Sequence, residues 1–168
     1  TLKINYLDNK KKPNKNSAIF VCSNTKIADF SGLLDNEISK KLEKLIKQNR
    51  KPALDKIYSF NEDFDQKTVI IFLSKENNSD LEFEKLGAKF FVFLKKNEIN
   101  KINVNKLKLK SSNNFNSFNS FLHGAELKSY EFDLYKSKKS QTKINIFVKK
   151  ADILEKRNNL DAILSGVN

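Results

Sequence analysis

Two short apolar runs constrain this chain more than any other feature. Residues 18–22 read Ala-Ile-Phe-Val-Cys, and residues 68–73 read Thr-Val-Ile-Ile-Phe-Leu. A strand that alternates apolar and polar residues can leave one face in water, but a continuous apolar run must be covered on both faces. Both runs are strand-length and rich in β-branched and aromatic residues. They therefore predict central strands with helices on both faces of the sheet.

Helix-period segments supply that cover. Asp35 and Asn36 offer N-caps for a helix over about residues 37–49, where Ile38, Leu42, Leu45 and Ile46 form one apolar stripe and Pro52 follows. Residues 81–96 read as a second helix, with Phe83, Leu86, Phe90, Phe93 and Leu94 near helical spacing. Gly87 sits inside it, a choice that costs about 1 kcal/mol relative to Ala and implies close packing against a neighbour. A third helix follows the loop at 111–114, carries Phe115, Phe118, Phe121, Leu122 and Ala125, and runs to about Ser129. A fourth opens at Asp152 and passes through Leu160, Ile163 and Leu164.

Alternating strands fill the gaps. Leu2, Ile4 and Tyr6 make one, residues 56–60 another, and Ile144, Ile146 and Val148 a third. Ile102 and Val104, then Leu107 and Leu109, alternate with a phase slip near Asn105 that predicts a bulge. Residues 61–66 read as an acidic turn. The early strands have no helix between them, which predicts some antiparallel pairing and hence a mixed sheet. A length of 168 residues fits one domain, 1–168, with no internal repeat.

The formal charge is +12, and only Arg50 and Arg157 among the 32 basic residues are arginine. A basic balance points first to nucleic acid or an anionic membrane. The abundance of Lys, Asn, Ile and Phe beside scarce Gly, Ala, Pro and Arg also matches AT-rich codon usage. Base and phosphate readers rely on arginine forks, so the charge reads mainly as surface composition. The densest basic patch is Lys136, Lys138, Lys139 and Lys143, preceded by Tyr130, Phe132 and Tyr135. Lysines interleaved with aromatics are the ingredients of a single-strand binding platform, and also of an ordinary loop beside a packed helix end. Nucleic acid thus stays as the alternative partner.

The residue inventory excludes much chemistry. One cysteine makes no internal disulfide, and one histidine with one cysteine builds neither a zinc finger nor a His-rich metal site. The four glycines are isolated, so neither a dinucleotide-binding nor a P-loop glycine pattern is present. His123 has Glu126 three residues on, yet no nucleophile accompanies the pair, which reads as a helix surface. Cys22 falls within an apolar strand, as buried structural thiols do. Glu62, Asp63 and Asp65 cluster in a turn without an EF-hand spacing. No apolar run approaches the ~20 residues of a membrane-spanning helix. The first fifteen residues lack the apolar core of a signal peptide, so a cytoplasmic location is the default expectation. No residue is assigned as catalytic, cofactor-binding or metal-ligating.

One segment carries a resemblance. Residues 124–137 read Gly-Ala-Glu-Leu-Lys-Ser-Tyr-Glu-Phe-Asp-Leu-Tyr-Lys-Ser. This is similar to the G-x-x-L-x-x-Y-x-F-x-x-Y-K-S junction of the leucyl (cytosol) aminopeptidase family. Gly124, Leu127, Tyr130, Phe132, Tyr135, Lys136 and Ser137 match it. In that family a strand and a helix follow, ending in Gly-Val-Asn before the catalytic domain. Here the corresponding triplet is Gly166, Val167 and Asn168. The resemblance implies a macro-domain-like α/β three-layer sandwich with a mixed sheet. It makes residues 150–168 a helix leading to a C-terminal catalytic domain that is the chain's partner. It further implies two divalent metals, manganese or zinc, in that domain, removal of N-terminal residues from peptides, and a homo-hexamer. The matched residues are expected to act structurally, with Tyr130, Phe132 and Tyr135 packing the helix end. The isolated glycines offer no backbone nest for the diphosphate of ADP-ribose.

Overall fold

The structure is a computed structural model, and it describes residues 2–7, 16–21, 36–48, 56–63, 66–73, 79–105, 114–135 and 143–150. Among these residues six strands form one sheet: β1 (Leu2–Leu7), β2 (Ser17–Val21), β3 (Lys56–Asp63), β4 (Gln66–Phe72), β5 (Lys101–Val104) and β6 (Ile144–Lys149). Their spatial order is β1-β6-β5-β2-β4-β3. Every pairing is parallel except β3 with β4, so the sheet is mixed as expected. The antiparallel pair is the one whose connection is too short for a crossover. β1 and β2, also joined without an expected helix, lie three places apart.

The two continuous apolar runs become β2 and β4, side by side in the middle. Alternation along them sends Ala18, Phe20, Val69 and Ile71 to one face, and Ile19, Val21, Ile70 and Phe72 to the other. Helix α1 (Asn36–Gln48) covers the second face through Leu42 and Leu45, which are buried, with Ile46 partly buried beside them. Helices α2 (Asp80–Lys96) and α3 (Asn114–Tyr135) cover the first face and bring most of the buried phenylalanines. Phe72, Phe83, Phe90, Phe91, Phe118 and Phe121 are fully buried. Each such side chain contributes about 1.5–3 kcal/mol relative to exposure. Phe121 meets Phe20 edge-on at 4.9 Å and Phe90 at 5.2 Å. The result is three layers.

Asparagines stitch the amino ends of the parallel strands. The Asn16 side-chain carbonyl accepts the Lys67 N–H at 2.9 Å, and its amide donates to the Lys101 carbonyl at 3.0 Å. Its backbone carbonyl accepts from the Asn103 N–H at 2.9 Å. One residue at the mouth of β2 thus holds both neighbours.

Several details differ from the expectations. The stripe of α2 is Phe83, Leu86, Gly87, Phe90, Phe91 and Leu94, so Phe91 is buried while Phe93 is only partly so. Strict spacing of three and four from Phe83 leads to Phe91, and Phe93 falls off the stripe. β3 extends to Asp63, which draws Asn61, Glu62 and Asp63 out of the expected turn and into a strand. The register shift sits there, between Asn61 and Asp63. β5 ends at Val104, and Leu107 and Leu109 lie outside the described residues. α3 runs to Tyr135, beyond the expected end near Ser129. The fourth helix, Cys22, Asp65 and the triplet Gly166, Val167 and Asn168 lie outside the described residues.

Candidate functional site: the outer face of α2 and α3

α2 begins with a reciprocal cap. The Ser79 hydroxyl accepts the Glu82 N–H at 3.1 Å, while the Glu82 carboxylate accepts the Ser79 N–H at 3.3 Å. It ends in a Schellman arrangement, with the Glu98 N–H on the Lys95 carbonyl at 3.3 Å and the Ile99 N–H on the Leu94 carbonyl at 2.9 Å. Glu98 occupies the left-handed position with φ 56°.

Two glycines fix how α2 meets α3. A Cβ on Gly87 would stand 1.9 Å from the Phe121 carbonyl oxygen, and one on Gly124 would stand 1.8 Å from the Glu84 carbonyl oxygen. The helices therefore touch backbone to backbone at two reciprocal points. This accounts for Gly87, and it gives the motif residue Gly124 a definite task. A groove of about 240 Å³ lies along the contact, lined by Glu84, Lys85, Ala88, Gly124, Leu127, Lys128 and Glu131.

The other motif residues divide. Phe132 packs against the core, 5.6 Å from Phe91, with Lys95 Nζ 4.8 Å and Lys128 Nζ 5.8 Å from its ring centroid. Leu127 is 48% exposed and Tyr130 72% exposed. Tyr130 therefore does not pack the helix end, although the resemblance implied that it would. Strict helical spacing carries it past the core stripe to the outer side. Leu134, outside the motif pattern, is 73% exposed on the same side. Tyr135 ends α3, while Lys136, Ser137, Lys138 and Lys139 lie outside the described residues. Of the basic patch, only Lys143 is described; it is exposed just before β6.

His123 and Glu126 lie on the solvent side of α3, with the Glu126 carboxyl half-buried, and they interact electrostatically. Burial pushes the Glu126 carboxyl above its ordinary value, with His123 pulling the other way. Tyr6 on β1 is raised by burial and then by the Glu126 charge. Ser129, one turn on, accepts the Leu2 N–H at 2.8 Å and so ties β1 to α3. This cluster contains no activated nucleophile. Among the described residues, no three His, Cys, Asp or Glu side chains gather as a metal site. The two metals that the resemblance implies for the C-terminal domain have no ligand set among these residues.

In open α/β sheets, ligands settle outside the carboxyl ends of the strands. The segments that follow β2, β4 and β5 at that end, 22–35, 74–78 and 106–113, lie outside the described residues. α2 also starts there, but the Ser79 hydroxyl takes the Glu82 N–H, and the acidic Asp80 and Glu82 offset the positive helix end that an anion would use.

No family model matches the sequence, and no curated protein matches it significantly. Solved structures do match. The DarG macrodomain of Thermus aquaticus superposes with a TM-score of 0.57 at 7% identity, over 89% of this chain and 97% of that one. The Mycobacterium tuberculosis DarG macrodomain gives 0.55 at 11% identity, over 88% and 97%. Tomato leucine aminopeptidase gives 0.56 at 13% identity, over 98% of this chain and 36% of that one. The chain thus spans about a third of the aminopeptidase's length. At such identities the likeness establishes the fold, which is macrodomain-like. No helix among the described residues is long and apolar enough to cross a membrane.

Proposed function

We propose that this chain is the N-terminal, non-catalytic domain of a leucyl-aminopeptidase-type enzyme of the cytoplasm, serving assembly or regulation. One observation carries the reading. The aminopeptidase match takes in 98% of the chain, whereas macrodomains matched over 97% of their own length leave about a tenth of it unmatched. The junction motif supports the same reading, since Gly124 sits where α3 touches α2. Release of N-terminal residues, the pair of manganese or zinc ions and the hexameric assembly belong on this reading to a catalytic domain beyond Asn168.

The test is an assay of leucine amide hydrolysis with added Mn²⁺ or Zn²⁺. The 168-residue chain is expected to be inactive, and a polypeptide continuing past Asn168 to show chelator-sensitive turnover. Chelator-sensitive turnover by the 168 residues alone would overturn the assignment. So would a continuation without Asp, Glu and Lys ligands. The second reading, a nucleic-acid-binding module, rests on the +12 charge. It requires binding that falls steeply with salt, and no association at about 50 mM salt removes it.

A further inference from the structure

The outer face of α3 differs in composition from the rest of the surface. The chain carries 30 lysines, its 32 basic residues less Arg50 and Arg157. Yet the exposed row His123, Leu127, Tyr130 and Leu134, spaced four, three and four along one side of α3, contains none. Protein interface cores are depleted in lysine and enriched in tyrosine. A row that escapes a lysine-rich composition, with Lys128 the one lysine of α3 beside it, and that exposes two leucines and a tyrosine has the character of an interface.

Its shape and charge identify the occupant. Beside the projecting row lies the groove between α2 and α3, so a projection and a recess adjoin on one patch. The charged groups lining the recess are Glu84, Lys85, Lys128 and Glu131, two of each sign. The recess is thus locally neutral on a chain of +12. Glu126 and Glu131 are exposed on the same helix, which makes the face a poor seat for a polyanion. A patch that offers both projection and recess, and both signs of charge, is complementary to itself, as an isologous two-fold contact requires.

We infer that this face binds a second copy of the chain. The two α3 helices cross antiparallel, Tyr130 and Leu134 of each copy enter the recess of the other, and Lys128 faces the partner's Glu131. Within one chain Lys128 already pairs with Glu131 at 3.5 Å, with the side chains 31% and 56% exposed. Exchanging such an exposed pair for an intermolecular one costs little. The inference holds whether or not the aminopeptidase reading does.

Sedimentation of the purified 168-residue chain tests it. A reversible monomer–dimer equilibrium is expected, and it should tighten from about 50 to about 500 mM salt, because salt screens the repulsion of two +12 chains while the recess itself is neutral. Tyr130→Glu and Leu134→Lys should each weaken the dimer at least about tenfold. Lys128→Glu and Glu131→Lys should each be monomeric alone, because like charges then face one another. Mixed in equal amounts, they should form a heterodimer, which an effect within one chain would not produce. Circular dichroism checks that each variant folds, and the charge-reversal pair carries the test if an apolar-site variant does not. A single monomeric species up to about 0.3 mM would overturn the inference and leave the face to a different protein. Dimers that persist in Tyr130→Glu and Leu134→Lys, or a mixture that fails to associate, would overturn it as well.

Discussion

Adding one methyl group at position 124 probes the contact on which the α2–α3 layer is built. The Cβ of Gly124→Ala would lie 1.8 Å from the Glu84 carbonyl oxygen, 2.6 Å from its carbon and 2.8 Å from its Cα. Non-bonded carbon atoms settle at about 3.5–4.0 Å. The obstacle is backbone, which cannot swing aside as a flexible side chain would, so α2 and α3 must separate by more than about 1 Å. Separation loosens the ring packing behind the contact, including Phe90 against Phe121 at 5.2 Å. Overpacking of this kind costs about 1–3 kcal/mol, occasionally more. The backbone clash places it at the upper end. Alanine returns about 1 kcal/mol of helix propensity. The net expectation is a loss of about 2 kcal/mol, or about 4–8 °C in Tm for a chain of this size. Urea unfolding followed by far-UV circular dichroism measures it, since the chain has no Trp to report by fluorescence. Gly87→Ala, with its Cβ 1.9 Å from the Phe121 carbonyl oxygen, should act in the same direction. The double variant should cost less than the sum, because helices already parted by one methyl have room for the other. A Gly124→Ala midpoint equal to or above wild type would refute the backbone contact.

Three further outcomes are expected. Glu98→Gly should raise stability by about 1 kcal/mol in urea unfolding, because Glu98 pays the left-handed penalty at φ 56° that glycine avoids. Ser79→Ala should lower it by about 1 kcal/mol by removing the hydroxyl that accepts the Glu82 N–H. Glu126→Gln should stabilise at neutral pH and not below about pH 4. The folded Glu126 carboxyl titrates above its ordinary value, so its stabilising contribution is present below the unfolded value and lost as pH rises through the folded one. Urea midpoints across pH check this, and an unchanged profile in Glu126→Gln would contradict it.

Much of the architecture is legible in residue order. The runs around Ile19 and Ile70 announce two-sided burial, and the stripes of α1 and α3 announce which faces supply it. Burial state is a local property, so periodicity reports it. Strand order is not local. Nothing in Leu2, Ile4 and Tyr6 says that they pair with Ile144, Ile146 and Val148, because alternation is the same beside any neighbour. Turn boundaries fail for a related reason. Asn61, Glu62 and Asp63 have turn chemistry, yet β4 offers a free ladder that draws them into β3. Of the α2–α3 face, Gly87 was readable as a place of close approach, because glycine inside a helix demands a reason. Leu127 and Tyr130 fall off the stripe of Phe118, Phe121, Leu122 and Ala125, so spacing puts them outside. The motif resemblance, which has Tyr130 packing the helix end, points the other way.

The pairing of β1 with β6 also bears on how the chain comes together during synthesis. Leu2 stands opposite Ile144, so β1 leaves the ribosome long before β6, the neighbour it pairs with. At about 5–20 residues per second, that wait lasts on the order of ten to thirty seconds. The bond from Leu2 to Ser129 also requires α3 to have formed. The central strands and their helices can assemble before β1, with its apolar Leu2 and Ile4, is paired. Completing the sheet is therefore a long-range event, and it moves the exposed edge on that side from β5 out to β1.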